Sequence, residues 1–165
     1  MATIAIYSVK GGVGKTTFAV NLAWCAAQIS RRRTLLWDLD ASNGSGFLLG
    51  VDPKKKRSAD TIFAAERDPA KLIQKTDFKG LDLLPADESI RTLGRQFDTL
   101  GKKKRLAKLT QSLGKEYDRI LFDCPPAIGY QSLNAAFAAD ILYIPTGPGY
   151  WEYDSTTSFL GQLGD

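Results

Sequence analysis

The stretch SVKGGVGKTTFAVNLA, Ser8 to Ala23, governs the reading of the whole chain. It follows ATIAIYS (Ala2 to Ser8), a compact β-branched and aromatic run suited to a buried parallel strand. After it, Phe18, Leu22, Cys25 and Ile29 recur at three- and four-residue spacing, which predicts a helix from Lys15 to about Ile29. Between strand and helix, Gly11, Gly12 and Gly14 let the backbone curl without a Cβ clash. Successive amides from Gly11 through Val13 to Gly14 can then point inward at phosphate oxygens. The positive N-terminal end of the helix adds to that field. Lys15 is placed to reach the β- and γ-phosphates, the Thr16 hydroxyl to ligate Mg²⁺, and Thr17 to meet the α-phosphate. The motif G-x-x-x-x-G-K-[ST] keeps its tail, Gly14-Lys15-Thr16, but has Val9 where its first glycine belongs. A second lysine, Lys10, heads the glycine run.

The remainder alternates strand and helix. TLLWDLD (Thr34 to Asp40), LDLLPA (Leu81 to Ala86), YDRILFD (Tyr117 to Asp123) and DILYIPT (Asp140 to Thr146) read as further strands. Short helices are expected at Ser58 to Ala65 and Pro69 to Lys75, and helical sequence from about Ser89 to Leu113 and from Gln131 to Ala139. Gly44, Gly46, Gly50 and Pro53 read as breaks, and a last helix begins at Trp151. This order predicts an α/β fold, a mostly parallel sheet flanked by helices on both faces, of the P-loop NTPase type. At 165 residues the chain accommodates one domain, spanning 1–165. With no histidine, Ser-His triads, imidazole bases and most zinc sites are excluded. Cys25 and Cys124 have neither metal-ligand nor disulfide spacing and read as buried thiols of a reducing cytosol. No run approaches the roughly 18 apolar residues of a membrane helix, so a cytoplasmic protein is expected.

Ligands of such sheets sit beyond the carboxyl ends of the strands. Asp38, Asp40 and Asp123 fall there together with Gly11 to Lys15. Asp123 closes an apolar strand and suits a carboxylate that holds Mg²⁺ through its waters. Asp38 and Asp40, two apart in a strand, are expected on one face, one organising Mg²⁺ and the other positioning an attacking water. A strand-end Asp also serves as a turn former or cap, and that alternative stands for Asp38 above all.

KGGVGKTTFAVNLA, LLWDLDASNGS and YDRILFDCPPAIGYQSLNAAFAADILYIPTGP together resemble blocks of the ParA/Soj/MinD ATPases, which carry a deviant Walker A motif. The resemblance covers nearly the whole chain, least diagnostically from Val51 to Leu113. It implies ATP and Mg²⁺ as ligands, with Lys10 the signature lysine that reaches a partner subunit's phosphates in an ATP-sandwiched homodimer. It further implies Lys15, Thr16 and Thr17 as phosphate and Mg²⁺ ligands, Asp40 as the residue orienting hydrolytic water, and Asp38 and Asp123 as the Mg²⁺-side acids. Two features depart from the family: Ala41-Ser42-Asn43 replaces a usual proline after Asp40, and family members are longer, so the chain reads as shortened at its C-terminus.

The net charge is +4, with basic runs at Arg31 to Arg33, Lys54 to Arg57 and Lys102 to Arg105. Each run alone suits a solvated face, and a common surface would suit a phosphate backbone. The resemblance implies nonspecific, nucleoid-associated DNA binding, slow hydrolysis stimulated by a ParB-like adaptor, and a role in positioning plasmid, chromosome or other cargo. Two other readings stand beside it: a relative that binds nucleotide without turnover, and an ATP-dependent ligase or phosphotransferase on the same loop.

Overall fold

A computed structural model describes residues 1–51, 69–86 and 105–164. The helix expected at Ser58 to Ala65, the first part of that expected from Ser89, and the run at Lys54 to Arg57 lie outside the described residues. So does Lys102 to Lys104 of the other run.

The strands are β1 (Ala2–Ile6), β2 (Thr34–Asp38), β3 (Gln74–Lys75), β4 (Leu81–Leu84), β5 (Arg119–Asp123) and β6 (Ile141–Tyr143). They form one six-stranded sheet in the order β3-β4-β2-β5-β1-β6. All pairings are parallel except β3 with β4. The helices are α1 (Lys15–Gln28), α2 (Gly44–Leu49), α3 (Arg105–Leu113), α4 (Tyr130–Ala138) and α5 (Tyr150–Leu163), with a 3₁₀ turn at Pro69–Lys71.

Alternation along the strands builds two cores. Ala5, Leu35, Trp37, Ile120 and Phe122 point to one face, with Leu106, Leu113, Tyr130, Ala135 and Phe159 from α3, α4 and α5. Ile6, Leu36, Leu83 and Leu121 point to the other, which α1 covers with Ala19, Ala23 and Ala27, and α2 with Leu49. The central strands β2, β4 and β5 are thus buried on both faces, which is why they read as unbroken apolar runs.

The helix expected from Lys15 forms as α1, and three other sequence expectations are corrected. In α1, alanines four apart face the sheet, Phe18 and Leu22 pack beside them half-buried, and Ile29 is exposed. The small side chains let the helix lie close over the strands, while Phe18 turns sideways to stack on Tyr143 of β6, ring centroids 4.1 Å apart. Residues 44–50 hold a helix, α2, instead of a break. Asn43 enters it at φ 51° and Gly50 leaves it at φ 66°. Pro69 to Lys75 is a 3₁₀ turn followed by β3, which adds an antiparallel edge the residue pattern did not announce. The second strand stops at Asp38 and not at Asp40.

Candidate functional site: a phosphate loop over two buried carboxylates

β1, β2 and β5 end side by side, and their last residues build the floor of the site. Asp38 and Asp123 are register partners across β2 and β5, and Asp123 is likewise paired with Ile6 of β1. Both carboxylates are buried. Burial pushes each above the usual carboxylate range; for Asp38 the neighbouring Asp123 pushes in the same direction. Asp38 Oδ1 accepts the Asp40 N–H (2.9 Å) and Oδ2 the Ser45 N–H (3.0 Å), so its carboxylate organises the loop that follows β2. Asp123 Oδ2 accepts the Ser45 hydroxyl (2.8 Å), and the Thr16 side chain lies beside this carboxylate and acts to lower its pKa. Asp123 Oδ1, buried, has no hydrogen-bond partner. A buried carboxylate oxygen without a partner is costly, and a bound cation with its waters satisfies it.

The loop from Lys10 to Gly14 arches over this floor. Gly12 and Gly14 adopt φ 73° and 86°, a left-handed conformation that disfavours side chains, and a Cβ on Gly11, Gly12 or Gly14 would meet nothing within 4 Å. The cradle is open. Lys15, the first residue of α1, is buried, and its Nζ donates to the Lys10 carbonyl (2.9 Å). Burial lowers its pKa, while Asp123 and Asp40 act the other way. Thr16 lies beneath α2, where a Cβ on Gly44 would come 3.1 Å from its Cγ2. Thr17 is exposed on the outer side of α1.

Asp40 does not share a strand face with Asp38. It sits half-buried one residue beyond Leu39, and its Oδ1 accepts the Ser42 N–H (3.0 Å) in a local turn. The Ala41-Ser42-Asn43 sequence thus makes its own bend in place of a proline. A cavity of about 550 Å³ opens between Val13 and residues 142–147, flanking the loop. Arg31 to Arg33 precede β2 at the opposite end of the sheet, so this basic run does not join the phosphate loop. Ser45 is the residue that sequence reasoning missed. It lies in a Gly-Ser-Gly segment whose helical conformation was not anticipated, and no local pattern marks a serine as a carboxylate partner 78 positions away.

Among the described residues no group of three His, Cys, Asp or Glu gathers to hold a metal ion. In nucleotide sites Mg²⁺ is held by substrate phosphates and one or two protein oxygens. Glycine cradle, buried lysine, hydroxyl at the helix start and orphaned carboxylate oxygen fit a nucleoside triphosphate with Mg²⁺.

Fold and site together define an α/β P-loop nucleotide-binding domain. The chain belongs to the AAA_31 family (AAA domain), which matches residues 1–163. It is 33% identical over 164 residues to the sporulation initiation inhibitor protein Soj of Bacillus subtilis, covering 97% of this chain and 64% of Soj. It is 37% identical over 154 residues to the chromosome partitioning protein ParA of Myxococcus xanthus, covering 90% and 53%. Among solved structures it resembles cobyrinic acid a,c-diamide synthase from Mycobacterium smegmatis with bound ATP analogue and magnesium. That likeness has a TM-score of 0.87 at 29% identity, covering 100% of this chain and 68% of the synthase. The chain thus spans between half and two thirds of the curated relatives' length. Among the described residues no helix is long and apolar enough to cross a membrane.

Proposed function

We propose that this chain is a ParA-like ATPase: it binds Mg-ATP, dimerises around it and hydrolyses it to position DNA or other cargo. The observation that carries the reading is the gathering of buried Lys15, Thr16 and the orphaned Asp123 oxygen next to an open glycine loop. Lys15 exchanges its bond to the Lys10 carbonyl for the β- and γ-phosphates. Thr16 and Asp123 hold the cation, and Mg²⁺ supplies charge neutralisation of the phosphate oxygens. Asp38 holds the 40–45 loop in place, and Asp40, half-buried at its start, orients the attacking water. Lys10 delivers its cation to the partner subunit's phosphate, which couples hydrolysis to assembly.

Phosphate release with Mg-ATP, with and without DNA, tests the enzyme. Asp40→Ala is expected to lower turnover by 10²-fold or more with ATP affinity changed little, on the order of a lost water-positioning group. No release by the intact protein, alone or with DNA, rejects hydrolysis and leaves a nucleotide-dependent binding module. Sizing by light scattering with ATP, ADP and no nucleotide tests dimerisation. ATP-specific dimers that Lys10→Ala abolishes support the sandwich, and monomers throughout reject it. The proposed DNA contact predicts affinity that falls steeply with salt. The likeness to an amide-forming synthase supports one second reading, a ligase; turnover that requires a small-molecule acceptor favours it.

A further inference from the structure

Lys10 is held at both ends. Its backbone carbonyl accepts the Lys15 ammonium (2.9 Å), and its own ammonium pairs with Glu152 Oε1, 142 positions along the chain. The two sides of that pair differ sharply: the Lys10 side chain is 58% exposed and the Glu152 side chain 12%. Glu152 lies in the first turn of α5, among exposed Tyr150, Trp151, Tyr153 and Asp154. Lys10 beside it, and its own backbone amide, hold its carboxyl below the usual range. Gly149 makes room for it: a Cβ there would stand 2.2 Å from Glu152 Oε2. A carboxylate in the first turn of α5 is therefore held against the head of the phosphate loop.

We infer that Glu152 is a positioning residue that latches Lys10 within its own subunit until nucleotide arrives. This rests on the proposed role of Lys10. A phosphate in the loop draws the Lys15 ammonium off the Lys10 carbonyl and so frees the first tether. The second tether breaks when a partner's phosphate outcompetes Glu152 for the Lys10 ammonium. Delivery of Lys10 in trans thus follows occupancy of its own loop, and it unloads the first turn of α5. An ion pair with one exposed member biases such an equilibrium by a few-fold, so the latch tunes assembly without forbidding it.

Two measurements on Glu152→Gln test this. Without nucleotide, acylation of lysines by an amine-reactive reagent is followed by peptide mass spectrometry. Lys10 is expected to react about threefold faster or more in the variant, as loss of a paired anion implies, with exposed Lys79 unchanged; an unchanged Lys10 rate overturns the latch. With Mg-ATP, the half-dimerisation concentration is expected to fall by about threefold, and Lys10→Ala/Glu152→Gln should match Lys10→Ala. A midpoint that stays or rises in Glu152→Gln overturns the gating. Gly149→Ala, which pushes the carboxylate aside while keeping its charge, is expected to reproduce both effects. If wild type never dimerises, the proposed function fails while the labelling arm still decides the latch.

Discussion

Asp123 shows how a single residue carries the cost of a buried charge. Burial raises its pKa, so the folded chain binds a proton that the unfolded chain has already released. The stability contributed by this group falls as pH rises from the unfolded value of 3.8 through the raised folded one. In nucleotide- and Mg²⁺-free buffer, Asp123→Asn keeps an acceptor for Ser45 and removes the charge. Chemical denaturation at pH 7 should find the variant more stable by about 1 kcal/mol, with a flatter pH profile, while its Mg-dependent nucleotide affinity drops. Gly46 is constrained by space. A Cβ there would lie 2.3 Å from Asn43 Nδ2 and 2.6 Å from the Val51 carbonyl, and backbone cannot step aside. Gly46→Ala should cost about 1–3 kcal/mol in the same assay by overpacking, and should displace the neighbouring Ser45 from Asp123.

Among the elements, α1 and β6 differ most from what the residue pattern implied. The apolar stripe of α1 is ambiguous because alanines and larger residues interleave along it. Which set faces the sheet depends on how close the helix must lie, and that distance is set by the loop connecting it to β1. Ala23→Leu should therefore destabilise the fold by about 1–3 kcal/mol in thermal or denaturant unfolding. β6 joins β1 by its ladder and by a side-chain clasp. Asp140 Oδ2 accepts the Thr3 N–H (2.8 Å) and the Thr3 hydroxyl (2.9 Å), which hold its carboxyl below the usual range. A depressed carboxylate stabilises above its unfolded pKa of 3.8 and loses that contribution as pH falls through the folded value. Asp140→Ala should cost about 1 kcal/mol near neutrality and nothing once pH lies well below the folded value, as unfolding across pH would show.

For the molecule as a whole, the proposed nucleotide site predicts strong linkage between ligand and stability. Mg-ATP at a hundred times its Kd stabilises by about 2.7 kcal/mol, which for a chain of this size raises Tm by roughly 5–10 °C. Lys15→Ala should abolish that rise. The order of residues determined the alternating strands and helices, and with them the end of the sheet at which Gly11 to Thr17 and the three aspartates meet. Strand register carries that much, because parallel strands of similar length bring their carboxyl ends together. The pairing of Asp38 with Asp123, Ser45 on the Asp123 carboxylate and Glu152 on Lys10 arose only on folding. These contacts span 78 to 142 positions, or cross between strands that are not consecutive in the chain. Local spacing encodes periodicity along one element, whereas such contacts depend on how separate elements lie against one another.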